Sequence, residues 1–110
     1  MLNVEAGDFS FLLTSDINCE TEFDLLYNRM IPDCDVMQVA HHGSGTSTSL
    51  EFLNVARPEL AVISVGQNDY GHPDGEVLNR LSGIIVYRTD AAGTIEFITD
   101  GGELWIKTDS

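Results

Sequence analysis

Basic residues are scarce in this chain: five lysines and arginines stand against 18 aspartates and glutamates, a formal charge of -13 over 110 residues. Such a surface repels phosphate backbones over about one Debye length, ~8 Å at physiological salt, which excludes a broad basic groove for nucleic acid. A bound divalent metal would reverse the sign locally, so a compact metal site stays open; most of the carboxylates simply serve solubility. Long apolar runs are lacking too. None approaches the ~20 residues needed to cross a bilayer, and the start "MLNVEAGDFSF" lacks the basic region of a secretory signal, so the chain as given is expected to be soluble. There are only two cysteines, without the close CxxC spacing of a structural zinc site. With Cys19 opening a helix and Cys34 just before the next strand, a helix of ~16 Å separates them, so two free thiols are expected. Repeats, linkers and low-complexity segments are likewise missing.

What is present is 43% apolar content, enough for one globular core. Strands are expected at Leu2–Glu5 and Phe9–Thr14, joined by "AGD". A helix follows over "SDINCETEFDLLYNRM", with Phe23, Leu26, Tyr27 and Met30 at i, i+3, i+4 and i+7 as its apolar stripe. Glu20 and Glu22 complement the positive end of its dipole, and Pro32 stops it. Val36–Ala40 is a strand, Thr48-Ser-Leu-Glu51 a capping box opening a helix through Ala56, and Leu60–Val65 a strand covered on both faces. Pro73 can occupy the first turn of a helix that buries Val77, Leu78 and Leu81. Strands at Ile84–Tyr87, Thr94–Ile98 and Leu104–Ile106 complete a ββαβαβαβββ order. The reading is a single α/β domain unit, one mixed β-sheet with about three helices mainly on one face. The other face of that sheet would lie exposed, which implies part of a larger layered domain or a partner.

Three polar clusters each follow an apolar strand: "TSD" (Thr14–Asp16), "HHGSGTS" (His41–Ser47) and "GQNDYGHP" (Gly66–Pro73). If those strands are parallel neighbours, the clusters share one rim at the strands' carboxyl ends, where sites of α/β sheets sit. All three histidines lie in these clusters. Asp16 and the His41/His42 pair are suitable ligands for a divalent metal such as zinc, which accepts carboxylate oxygen and neutral imidazole nitrogen at ~2.0–2.2 Å. Two such residue types supply only part of a four-ligand site. Plainer readings exist: Asp16 as an N-cap, one imidazole bonded within its loop, Gly43 and Gly45 as turn residues, Thr46, Ser47 and Thr48 as helix caps, His72 and Tyr70 as loop residues. The histidine pair outweighs its plain reading. Two imidazoles after a buried strand are costly without partners, and a Gly-rich loop feeding a helix suits an anion beside a metal.

With these residues in view, "FSFLLTSDIN", "VAHHGSGTSTSLEFLNVARPELAVISVGQNDYGHPDGEVLNRL" and "VYRTDAAGTIEF" resemble the C-terminal metallo-β-lactamase-like domain of the ComEC family of competence (DNA-uptake) channel proteins. The likeness runs from about Phe9 to Ile98, and "HHGS" followed by "SVG", "YGHP" and "YRTD" carries it. The resemblance implies an αββα sandwich of two similar halves with metals at one edge, of which this chain looks like the second half. The first half's H-x-H-x-D-H cluster has no counterpart here. The resemblance further implies that Asp16 is a bridging ligand and His42 the last ligand, the two catalytic positions, with His41 a fallback ligand or an outer supporting group. Ser15 stands where the family usually has Gly, and its Cβ bears on the turn presenting Asp16. Ser44, Tyr70 and His72 would border the substrate. The complete domain would be a zinc- or manganese-dependent hydrolase, a phosphodiesterase acting on DNA during uptake, while this chain would be inactive alone. Its expected partners are the missing N-terminal half, a membrane channel region that could supply basic surface for the DNA, and a second copy meeting it through the open sheet face. The parent would be membrane-associated with this domain outside the cytoplasm. The competing expectation is a non-catalytic interaction module of a channel protein.

Overall fold

A computed structural model of the chain describes residues 1–66 and 71–109. The elements run β1 (Leu2–Ala6), β2 (Phe9–Leu13), α1 (Cys19–Tyr27), β3 (Val36–Gln38), a 3-10 turn (Ala40–Gly43), α2 (Leu50–Ala56), β4 (Leu60–Ile63), α3 (Gly75–Arg80), β5 (Ile85–Arg88), α4 (Thr89–Ala92), β6 (Ile95–Thr99) and β7 (Leu104–Thr108). The α/β class is as expected. Strands β1 to β5 form one mixed sheet in sequential order, β1 antiparallel to β2, and β2, β3, β4 and β5 mutually parallel.

Successive strand residues point to opposite faces, and the register puts Leu12, Met37 and Ala61 side by side. All three are fully buried and pack, with Ile63, against Phe52, Leu53 and Ala56 of α2 and Val77 of α3. Phe11 and Val36 share the opposite face, as do Leu13, Gln38 and Val62. There the structure departs from a single sheet. Strands β6 and β7 form their own antiparallel pair, with Phe97 set edge-on to Phe11 at a centroid separation of 6.0 Å. The hairpin is pinned at its tip, where Asp8 N–H donates to Gly101 O at 2.8 Å. A Cβ on Gly7 would lie 2.3 Å from the Cα of Gly101, so this approach requires glycine. Beside the hairpin an apolar groove of about 190 Å³ remains, lined by Phe11, Leu13, Val36, Gln38, Val62 and Phe97. Leu2 and Ile85, on the same face, are 58% and 61% exposed.

Other expectations are corrected by local contacts. The stripe Phe23, Leu26, Tyr27, Met30 is not the buried side of α1: Phe23, Tyr27 and Met30 are exposed, Tyr27 at 88%. Arg29, at φ 55°, ends the helix before Met30 and well ahead of Pro32. Glu22, Leu25 and Leu26 face inward instead: the two leucines pack against the core and the Glu22 carboxylate meets two backbone donors there. Thr48 is not the cap of α2. It adopts φ 60°, and Ser49 caps the helix by accepting from Phe52 N–H. Pro73 precedes α3, whose cap is Asp74. Cys19 and Cys34 are free thiols, as expected. Among the described residues no helix is long and apolar enough to cross a membrane.

Candidate functional site

The parallel strands β2, β3 and β4 bring the loops that follow them to one rim, and the contacts between those loops are specific. The loop after β2 meets the loop after β3 through His41 N–H, which donates to Ser15 O at 3.0 Å. Asp16 and His42 therefore each lie one residue beyond a hydrogen-bonded pair. Farther along, Cys19 N–H donates to Thr46 O at 2.8 Å and the Ser47 hydroxyl to Ile17 O at 2.6 Å. The loop before α3 joins from the other side, with Asp74 N–H donating to Gly43 O at 2.8 Å. Gly43 has φ 86°, and a Cβ there would sit 2.6 Å from Pro73 Cβ, so this glycine lets the segment carrying His72 and Pro73 close onto the histidine loop.

The predicted residues among those described each have a definite setting. Asp16 is exposed. It does not cap α1; Asn18 does, accepting from Thr21 N–H. Ser15 has φ 58°, the left-handed conformation that glycine favours, at the position where a glycine is usual in the resemblance. His41 and His42 form two successive left-handed residues, φ 53° in each, a strained arrangement for side chains with a Cβ. His42 is exposed, and its Nδ1 lies 2.5 Å from Ser64 O. A carbonyl accepts only, so Nδ1 is the donor, and in the neutral ring this tautomer leaves the lone pair on Nε2. Ser44 is buried, its hydroxyl shared with that of Thr46 at 2.9 Å. His72 is half-buried beside Pro73. Tyr70 lies outside the described residues.

The donor types, carboxylate oxygen and a neutral imidazole with its other nitrogen bonded to a carbonyl, suit a divalent ion. Their number does not complete a site: among the described residues no group of three or more His, Cys, Asp or Glu is placed to hold a metal. No catalytic step is assigned to a metal on this chain alone.

Two charged residues at the rim escaped sequence reasoning. Glu22 is 1% exposed, and its carboxylate accepts from Thr48 N–H and Ser49 N–H. In the sequence it sits in the first turn of a helix, where an acidic residue is already explained by the dipole. Arg80, on α3, donates to Ser47 O at 3.1 Å and Thr48 O at 3.3 Å. The "YRTD" string is structural here. Thr89 ties β5 to the end of β4, its hydroxyl donating to Val65 O and accepting from Val65 N–H. Arg88 forms a bidentate pair with Asp90, whose carboxyl it holds below the usual range through those hydrogen bonds.

Fold and rim together define an α/β chain with a polar site at the carboxyl ends of its parallel strands. No family model matches the chain. It is similar to ComE operon protein 3 of Bacillus subtilis (strain 168), 40% identical over 102 residues that cover 88% of this chain and 13% of that protein. Competence protein ComA of Neisseria gonorrhoeae is 39% identical over 107 residues, 88% of this chain and 15% of that protein. Recombination protein 2 of Haemophilus influenzae is 42% identical over 79 residues, 71% of this chain and 10% of that protein. The chain belongs to the ComEC family and spans about an eighth of the length of these relatives.

Proposed function

We propose that this chain is one lobe of a metal-dependent phosphodiester hydrolase domain linked to DNA uptake, contributing Asp16 and His42 as ligands and inactive by itself. The observation that carries the reading is the convergence of the rim loops, with His42 locked so that Nε2 is available. The competence proteins among the relatives support the biological setting. A divalent metal supplies an activated water and neutralises charge on phosphoryl oxygens. The chain's own part is to hold a carboxylate and an imidazole on loops tied by backbone hydrogen bonds, with His41 as the fallback ligand and Ser44, Tyr70 and His72 toward the substrate. The remaining ligands, on this reading an H-x-H-x-D-H set, come from a separate lobe that covers the open sheet face. That assembly belongs to a membrane-associated parent with this domain outside the cytoplasm, and its channel region offsets the -13 charge toward DNA.

Elemental analysis of the purified chain is expected to find well below one zinc or manganese per molecule. Stoichiometric, tightly held metal would mean a complete site and overturn the one-lobe reading. In a full-length family member carrying this segment, His42→Ala is expected to abolish metal-dependent DNA cleavage, and unchanged cleavage removes His42 from the site.

The open sheet face favours a second reading, a non-catalytic module that docks on another chain or on a copy of itself. Sedimentation distinguishes it: a chain that stays monomeric at high concentration and binds no hydrophobic dye contradicts a sticky face.

A further inference from the structure

We propose that Glu22 and Arg80 are positioning residues which fix the rim loops relative to one another by clamping the Ser47–Ser49 backbone from two sides; this rests on reading Asp16 and His42 as ligands of one ion. Glu22 stands on α1, directly after the loop that carries Asp16. Arg80 stands on α3, directly after the segment that carries His72. Both reach the same stretch of the central loop. The Glu22 carboxylate takes the N–H groups of Thr48 and Ser49, the latter at 2.8 Å, while one Arg80 nitrogen takes the carbonyls of Ser47 and Thr48 at 3.1 and 3.3 Å.

The Thr48 residue is thus held at its N–H by α1 and at its C=O by α3. That hold matters because Thr48 is in the left-handed region at φ 60° and buried, a conformation that persists only where the surroundings over-determine it. A carboxylate with 1% exposure is costly to bury, and helix capping does not require it, since Ser49 already caps α2. Its placement makes sense as a brace. Arg80 is itself oriented by Glu76, at 3.3 Å on the same helix. The central loop also carries His41 and His42 at its other end, so the clamp sets where that pair stands against Asp16. Geometry of this kind must hold within roughly 0.5 Å for a first ligand shell to work, and the brace supplies it from outside that shell.

The test uses the 110-residue chain, two NMR readouts and Mn²⁺ as the probe. Glu22→Gln keeps the shape but replaces one acceptor with a donor. Hydrogen exchange at Thr48 and Ser49 is expected to quicken about tenfold or more in this variant and in Arg80→Ala, matching the loss of a charge-assisted hydrogen bond, with Arg80→Lys largely restoring protection. In the wild type, paramagnetic broadening by Mn²⁺ is expected to reach Asp16 and His42 at the same metal concentration, below that which broadens the exposed Asp100. In Glu22→Gln the two midpoints are expected to separate severalfold. Unchanged exchange at Thr48 and Ser49 overturns the clamp. Faster exchange with the two midpoints still together reduces it to a stability element and overturns the positioning role. No early broadening at either residue in the wild type overturns the metal reading itself, and the exchange data then stand apart from it. Should Glu22→Gln fail to fold, the Arg80 pair carries both readouts.

Discussion

Leu12, Met37 and Ala61 stand on one face of β2, β3 and β4 with 0% exposure, whereas Phe11, Leu13 and Val62 on the other face of the same strands are only partly covered. The covered face is sealed by α2 and α3, whose apolar residues fall at helical spacing over it. The other face is met by a hairpin that touches through Phe97 and is fastened chiefly at its tip. The same alternation of side chains thus feeds one finished core and one unfinished one. The difference shows which side of the sheet holds the fold and which is left partly open.

The sharpest way to break that contrast is to remove a buried anchor. Phe52 is 1% exposed at the centre of the helix side. Phe52→Ala is expected to cost about 3–5 kcal/mol, read as the loss in urea-unfolding free energy, since it removes apolar contact and leaves a cavity. On the hairpin side, Phe97→Ala is expected to cost about 1–2 kcal/mol, because the ring is half-buried and its main partner is Phe11. Equal costs at the two positions would mean that the hairpin face is as much a core as the helix face.

The buried thiol sharpens the comparison through pH. Cys34 belongs to the core cluster, and its pKa is pushed up to about 11, first by burial and then by Asp35 and Asp33. The folded chain therefore keeps this proton where the unfolded chain, at 9.0, has begun to lose it. The contribution is fully present below pH 9 and is lost as pH rises through about 11. Unfolding free energy is expected to fall across that window by more in the wild type than in Cys34→Ala. Alkylation should reach the half-buried Cys19 before Cys34.

Much of this was legible in the sequence. Apolar runs separated by Gly and Pro signals marked the strands of the mixed sheet, and the polar clusters after "FSFLL", "VMQVA" and "LAVISV" were enough to anticipate a shared rim. What stayed hidden depended on contacts distant in the chain. The spacing of Phe23, Tyr27 and Met30 is that of a buried stripe, yet the helix turns Leu25, Leu26 and Glu22 inward, the last to two backbone donors distant in the chain. The tip of the β6–β7 hairpin meets the β1–β2 turn where Gly7 approaches Gly101, a contact that no local pattern records. Ser15 was legible as a departure from glycine, but only the backbone shows that the left-handed turn is kept.

The smallest expected effect is the most informative about the open face. Ile85 is 61% exposed at the edge strand β5, so its side chain has little apolar contact to lose. Ile85→Ser should change the unfolding free energy of the isolated chain by less than about 0.5 kcal/mol, as for other surface substitutions. If that face receives a covering lobe or a second chain, the same substitution buries a hydroxyl against apolar surface, at a cost of about 1–3 kcal/mol in association. Titrating wild type and variant against the partner, or against themselves in sedimentation, separates the two quantities. A substitution silent in folding and costly in binding identifies a surface kept apolar for contact. Silence in both leaves Ile85 as an ordinary exposed residue outside any contact surface.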